Sequence, residues 1–599
     1  MFQLHAMTSA RLCRPFSYRL LHKTTMLAIS AALMLMAQAI FAQRAGAEQA
    51  SRPNVVLIMT DDQGYGDVAA HGNTKIRTPN IDKLYAQSLR LTNYHVDPTC
   101  SETRSALMTG RYSSRTGVWH TIMGRSILHR DERTMANVFA AAGYRCGMTG
   151  KWHLGDAWPY RPLDRGFHEA MRHGGGGIGQ TPDFWDNDYF DDTYWHNGKP
   201  EPQKGYCTDV FFDWAMQFIE RNKQGPFFCY IATNVPHGPY NVAEKYSRPY
   251  AEEGVPGSMA NFYGMIENFD ENLGRLVAKL EELKLADNTI LVYTTDNGTA
   301  AGVARGGRGN GWQGFNAGMR GQKGSEYDGG HRVPCYIRWP GHIESGKDIA
   351  RLAAHIDMLP TLADLCGVPV PAELDLDGKS LVPLMSGKDW PERTLVVHSQ
   401  RMEHPQKWHK CSVMTDRWRL VDGKQLFDME ADPGQATDVA AANAAVVEKL
   451  RASYEAWWDH VDDRYDDYVR IPLGDEHANP TNFTCHDWHA GSVSQVPWNH
   501  GHIRAMVKAN GFWAVDVAAA GRYEVTLRLR PAGVEFPLQK GIAEVQVGDV
   551  KASAPIAAGA SETTVSLDLP AGPARLLTTL NEEGRGARGA YFVSVRKVD

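Results

Sequence analysis

Cys100 and Arg104 stand four residues apart in PTCSETRSALMTGR (98–111), just ahead of a short apolar run, in a chain of 599 residues with only nine cysteines. Two acidic groups accompany them: Asp61 and Asp62 in TDDQG, and Asp296 and Asn297 in TDNG. Four side-chain oxygens of this kind are hard donors and suit Ca²⁺ or Mg²⁺ rather than zinc. Either pair taken alone is also ordinary turn chemistry. A third set is basic: Lys151 and His153 in GKWHLG, His237 in VPHGP, and Lys323 in GQKGSEYDGGHRVP. Ammonium and imidazole groups are what a tetrahedral oxyanion needs for binding, for protonation of a leaving group and for charge stabilisation. With 23 histidines in the chain, residue type alone does not separate these from structural histidines.

The elements that must position these groups follow from hydropathy. NVVLIMT (54–60) is a continuous apolar run of the kind that forms a strand buried on both faces, and it ends directly before Asp61. PFFCYIAT (226–233) ends before NVPHGPY, and NTILVYTT (288–295) ends before Asp296. Helical patterns alternate with these runs: IDKLYAQSLR, RTMANVFAAAG, TDVFFDWAMQFIERN and MIENFDENLGRLVAKLEELK. SALMTGR is expected to begin a helix whose free amides point at the site. The βα rhythm predicts an α/β fold, a mostly parallel sheet flanked by helices, with ligands beyond the carboxyl ends of the strands.

From about residue 389 the pattern shifts to shorter strands (TLVVHS, KCSVMTDRWRLV, KQLFDMEADPG) followed by the helix VVEKLRASYEAWWDHVDD. This predicts a smaller antiparallel sheet subdomain over 389–470, after a catalytic α/β domain over 52–388. Beyond 475 the runs alternate, as in GRYEVTLRLRP and ETTVSLDLP, which predicts an appended β-sandwich over 475–599.

The cysteine stretch and the flanking motifs together resemble the formylglycine-dependent sulfatases, arylsulfatase-like members of the alkaline phosphatase superfamily. PTCSETRSALMTGR resembles their CxPxR-type signature, and NVVLIMTDDQGYGD, GKWHLG, NVPHGPY, TDNG and KGSEYDGGHRVP follow in the family's order. The resemblance covers about residues 52–460, through DRWRLVDGKQLFDMEADPGQ. It implies an alkaline-phosphatase-like fold and hydrolysis of sulfate monoesters, on a carbohydrate or on aryl sulfates. It also implies that Cys100 is oxidised to formylglycine by a maturase, and that one calcium ion is held by Asp61, Asp62, Asp296, Asn297 and the hydrate made from Cys100. By the same resemblance Arg104 orients that hydrate, Lys151 binds sulfate oxygens, His153 is the base for collapse of the intermediate, and His237 with Lys323 faces the leaving oxygen. Glu102 stands where the family has proline and Thr103 where it has serine or alanine. A proline keeps the preceding chain extended, which is the form a maturase reads, so this substitution bears on recognition.

Two alternatives stay open. One is a phosphoesterase of the same superfamily, which would bind two zinc ions and use a serine or threonine nucleophile. The other is a glycan-binding pseudo-sulfatase in which Cys100 is not matured.

The remaining features set expectations of place and specificity. Arg11, Arg14, Arg19 and Lys23 precede the apolar run MLAISAALMLMAQAIF, which is too short for a spanning helix of about 20 residues. Residues 1–47 therefore read as a signal peptide and the protein as exported, periplasmic or secreted. A net charge of −6 gives no basis for a nucleic-acid or membrane partner, so an anionic substrate must be held by local positive charge. The cysteines show no metal-finger spacing and no legible disulfide framework. The aromatic-rich insert 173–200 offers rings for stacking on sugar, and the glycine-rich 304–322, with Arg305, Arg308 and Trp312, is a candidate lid. Cys485, His486, His489, His500 and His502 crowd one segment without a standard metal spacing, which favours a structural or substrate-rim role.

Overall fold

The structure is a computed structural model that describes residues 52–303, 313–398 and 400–598. The expected signal peptide (1–47) and Arg305, Arg308 and Trp312 lie outside the described residues.

The main sheet has ten strands: β1 (Asn54–Thr60), β2 (Leu89–Leu91), β3 (Arg145–Gly150), β4 (Glu169–Arg172), β5 (Thr193–His196), β6 (Lys199–Pro202), β7 (Phe227–Ala232), β8 (Thr289–Thr295), β9 (Cys335–Arg338) and β10 (Asp348–Ile349). Their spatial order is β10-β2-β9-β8-β1-β7-β3-β4-β5-β6. The centre, β8-β1-β7-β3-β4, is parallel, and antiparallel pairing appears only toward the edges, at β8-β9-β2 and β4-β5-β6. β1 is buried along its whole length. Val55, Leu57 and Met59 face one core with helices α1 (Cys100–Thr109) and α4 (Met358–Leu365), while Val56 and Ile58 face another with α2 (Cys207–Asn222) and α3 (Gly257–Glu282). The period-2 alternation of a pleated strand explains that split, and helices on both sides explain why no polar face interrupts the run. Each fully buried aliphatic side chain contributes about 1.5–3 kcal/mol.

One helix differs from the expectation. α1 begins at Cys100 rather than at Ser105 and ends at Thr109, with Gly110 at φ 69° closing it in the left-handed conformation. All ten of its residues are buried, the polar Ser-Glu-Thr-Arg turn included. No amphipathic stripe was available to mark its start.

A four-stranded antiparallel sheet follows: β11 (Leu395–His398), β12 (Cys411–Met414), β13 (Trp418–Val421) and β14 (Gln425–Asp428), covered by α5 (Ala444–Val461). Two further sheets face each other around Trp513, Tyr523, Val525, Leu527, Leu576 and Leu580. The strand Thr563–Leu569 alternates buried and exposed along its length, the mark of a sheet with one wet face. The first strand of this unit, Ile471–Leu473, pairs with Phe512–Val517. Ile127 and Tyr160, from the α/β region, belong to the same core.

Candidate active site

The site forms where the chain leaves β1, β3, β7 and β8 at their carboxyl ends. After β1 the chain turns sharply: Asp62 sits at φ 72°, and the Asp61 amide donates to the Val235 carbonyl beyond β7 at 3.0 Å. After β3, His153 sits at φ 59°. Such backbone costs a residue with a Cβ about 1–3 kcal/mol and persists only where the surroundings impose it. Both residues carry site side chains.

Three cations meet three carboxylates in a water-poor floor. Lys151 Nζ lies 2.7 Å from Asp61 Oδ2, Lys323 Nζ donates to Asp62 Oδ1, and Arg104 donates through Nε (3.1 Å) and Nη2 (2.8 Å) to Asp296 Oδ2. A third donor of Arg104, Nη1, reaches the Lys151 carbonyl at 3.0 Å. Burial opposes the Asp62 charge, yet Lys323, His237 and Lys151 hold its carboxyl well below the usual range. Burial, reinforced by the neighbouring Asp61 charge, pushes Asp296 up to about 6 against Arg104 and Lys151. Burial also works against the Lys323 ammonium, but Asp62 keeps its pKa above that of an ordinary lysine.

Cys100 is placed against this floor. Its Sγ, one oxygen of Asp61 and one of Asp296 lie within 4.8 Å of one another, as do ligand atoms of Asp61, Asp62 and His237. Burial raises the thiol's pKa. Asp61 Oδ1 and Asn297 Oδ1 are buried with no hydrogen-bond partner, while Asn297 Nδ2 donates to Asp62 Oδ1 at 2.9 Å. Unpartnered buried carbonyl-type oxygens are costly, and a hard cation would satisfy both. The donor set therefore fits Ca²⁺ or Mg²⁺.

The two imidazoles face the same cavity. His153 places Nε2 2.8 Å from the Thr121 carbonyl and leaves Nδ1 unpartnered, and burial beside Lys151 holds its pKa well below the ordinary value. His237 places Nδ1 2.7 Å from the Gly238 carbonyl, and burial, opposed in part by Asp62, brings its pKa to about 3. Both rings are neutral near pH 7.

The cavity above them has a volume of about 480 Å³ and is lined by Cys100, His153, His237 and Lys323. The structure thus brings together every predicted site residue: Cys100, Arg104, Lys151, His153, His237, Lys323, Asp61, Asp62, Asp296 and Asn297.

Other lining residues were not singled out from the sequence. They include His120, Gln180, Arg401, Lys410 and Trp498. Gln180 belongs to the insert, whose HGGGG start packs on the histidines: a Cβ on Gly176 would lie 2.3 Å from His153 Cε1, and one on Gly177 3.2 Å from His237 Nδ1. The insert's aromatic rings point elsewhere. Tyr189 and Tyr194 are buried in the core below, Trp185 packs on His500 at 4.7 Å, and the ring that lines the cavity is Trp498. The histidines near it take separate partners: His486 meets Gln180 and His489 meets Glu403. Among the described residues they form no metal-binding group.

Comparison with known proteins identifies the family. A family model described as Sulfatase matches residues 53–368, and a second, N-sulphoglucosamine sulphohydrolase, C-terminal, matches 322–457. The chain is 32% identical to arylsulfatase A of Homo sapiens over 379 residues, 58% of this chain and 70% of that protein. It is 29% identical to N-acetylgalactosamine-6-sulfatase of Canis lupus familiaris, over 61% of this chain and 72% of that protein. Among solved structures, that of Ps i-CgsB in complex with k-i-k-neocarrahexaose superposes with a TM-score of 0.61 at 27% identity, covering 70% of this chain and 95% of that one.

Proposed function

This chain belongs to the sulfatase family of the alkaline phosphatase superfamily and is a sulfuric ester hydrolase; from that premise we propose that it removes sulfate from a sulfated carbohydrate, using a formylglycine made from Cys100 and one calcium ion. Asp61, Asp62, Asp296 and Asn297 would hold the ion. When present, the ion supplies positive charge that acidifies an oxygen nucleophile, and the oxidised Cys100 side chain supplies that oxygen.

The chain's own residues do the rest. Arg104 fixes the Asp296 carboxylate and the Lys151 carbonyl with three donors, so the floor is set before substrate arrives. Lys323 lines the cavity and presents its ammonium to the sulfate oxygens, while Lys151, buried against Asp61, adds positive charge from the floor beneath them. The neutral His153, with Nδ1 unpartnered, is arranged to accept a proton during sulfate release. His237 and Lys323 border the cavity on the side of Asp62 and face the departing alcohol oxygen; the Lys323 ammonium carries the proton for it, while neutral His237, its Nδ1–H committed to the Gly238 carbonyl, turns an unprotonated Nε2 to the same place. Two relatives, named as an N-acetylgalactosamine-6-sulfatase and as a complex with neocarrahexaose, support a carbohydrate as the alcohol. In this reading 52–388 is catalytic, 389–470 and 475–599 complete the cavity wall, and the leader 1–47 exports the protein. No helix among the described residues is long and apolar enough to cross a membrane.

The observation that carries the reading is Cys100 Sγ beside Asp61 and Asp296 at the base of a cavity bordered by two neutral imidazoles and Lys323. Its test is sulfate release from 4-nitrophenyl sulfate and from sulfated oligosaccharides, with and without a calcium chelator. Turnover that falls on chelation, returns with Ca²⁺ and is absent from Cys100→Ala is expected. Turnover restored by zinc alone would favour the phosphoesterase reading, and sulfated-glycan binding without release would favour a non-catalytic binder.

A further inference from the structure

The cavity has a second basic wall that the mechanism above does not use. Arg401 and Lys410 line it beside Lys323, and no carboxylate is among the lining residues. Asp61, Asp62 and Asp296 lie in the floor, each already met by Lys151, Lys323 or Arg104. Arg401 and Lys410 are exposed, and neither has an ion-pair partner among the described residues.

Both come from the segment 400–410 ahead of β12, and that segment is built to hold them. Gln400 clamps it from inside, donating to the His409 carbonyl at 2.7 Å and accepting from the Gln406 amide at 2.6 Å. Trp408 stacks on Tyr454 of α5 at 3.8 Å and donates to Glu455 at 2.8 Å. Arg401 (φ 54°), Trp408 (φ 59°) and Lys410 (φ 47°) all adopt left-handed backbone, which a residue with a Cβ avoids unless the fold imposes it. The loop's other charges are taken: Lys407 pairs with Glu455, and Glu403 with Arg125 and His489. Arg401 is close enough to Lys323 and to the buried Glu102 to act on both electrostatically. Arg401 beside Lys323, with Lys410 on the same cavity wall, leaves an excess of positive charge that the buried Glu102 meets only from Arg401's side and that an anion in the cavity would offset.

We propose that Arg401 and Lys410 form a second anion subsite, so that the substrate carries another sulfate or a carboxylate near the sulfate that is cleaved. This deepens the hydrolytic reading and rests on it for the identity of the first anion.

The test is calorimetric binding to the Cys100→Ala protein in calcium buffer, which needs no turnover. The probes are propyl sulfate, the bis-sulfates of ethane-, propane-, butane- and hexanediol, and 4-sulfooxybutanoate. At least one bis-sulfate is expected to bind about tenfold or more tighter than propyl sulfate, the scale of one added charge-assisted hydrogen bond. The additional substitutions Arg401→Ala and Lys410→Ala should each reduce that preference and together abolish it, with propyl sulfate affinity little changed. Tighter binding of the carboxylate probe would make the second group a uronic-type carboxylate, and of a bis-sulfate a second sulfate. No preference at any spacing, or a preference that survives loss of both cations, would overturn the proposal. So would an effect confined to Arg401→Ala that weakens propyl sulfate equally, since Arg401 would then serve Glu102. A preference for two anions in a wild-type protein that releases no sulfate would leave the subsite standing and refute only the hydrolytic reading.

Discussion

At the scale of single residues, the site depends on close approach as much as on charge. Gly176 has no Cβ because His153 occupies its place, and Gly176→Ala would push the imidazole about 1 Å or more, a displacement that can cost about a hundredfold in rate. We expect kcat to fall on that scale while thermal stability changes little, measured by steady-state hydrolysis and unfolding on the same sample. Unchanged kcat would show that the ring has room to move. The chemistry-bearing residues were legible in the sequence because each ends an apolar strand or sits in a short punctuated motif. Arg401 and Lys410 were not, since they reach the cavity from a loop about 300 residues beyond Cys100 and no local pattern marks that it turns inward; Trp498 lies in the histidine-rich segment expected to be structural or at the substrate rim, but was not itself picked out.

At the scale of elements, β1, β7 and β8 were legible as unbroken apolar runs, because parallel strands buried on both faces leave no alternation to misread. The start of α1 was not, because its first turn is polar yet fully buried: Cys100 faces the site, while Ser101 donates to the His120 carbonyl and Thr103 to the Asp97 carbonyl, which leaves no apolar stripe. The edge strands β5 and β6 were hidden too; β6 is exposed throughout and reads as a turn-rich loop. The C-terminal sandwich is tied to the α/β region through the site: Thr181 bonds the Trp498 and Pro497 carbonyls, His500 bonds Gly179, and Met123 bonds His486. We therefore expect Trp498→Ala to raise KM about tenfold for a carbohydrate substrate, the scale of one lost ring contact, and to spare a small aryl sulfate. A protein ending at Gly474 should lose activity on both and unfold at lower temperature. Full activity of that truncated protein would mean that the sandwich is independent of the site.

At the scale of the whole molecule, a chain of net charge −6 lines its cavity with Lys323, Arg401 and Lys410, the local positive charge that an anionic substrate was expected to need. The cysteines of the described residues are all buried and unbridged, so no disulfide supports this part of the fold. Its pH response is dominated by buried neutral histidines. Burial lowers His120, His173 and His237 to about 3, and His71, His129, His398 and His500 to about 4. A depressed folded pKa contributes stability above the unfolded value near 6.5, and that contribution is lost as pH falls toward 4, because the unfolded chain binds the extra protons. Asp67 and Asp183, raised to about 7 by burial, and Asp270 and Asp296, raised to about 6, act in the opposite sense but are fewer. The unfolding temperature should therefore drop between pH 7 and pH 5; a rise would mean that the buried carboxyls dominate.

Whether Cys100 is oxidised with Glu102 in the place of proline is read on the mature protein from its native host. Mass spectrometry of the tryptic peptide LTNYHVDPTCSETR (91–104) reads the state of that one side chain. Formylglycine, or its hydrate, is expected in the active molecules. Unmodified cysteine in a preparation that still hydrolyses sulfate esters would contradict that expectation.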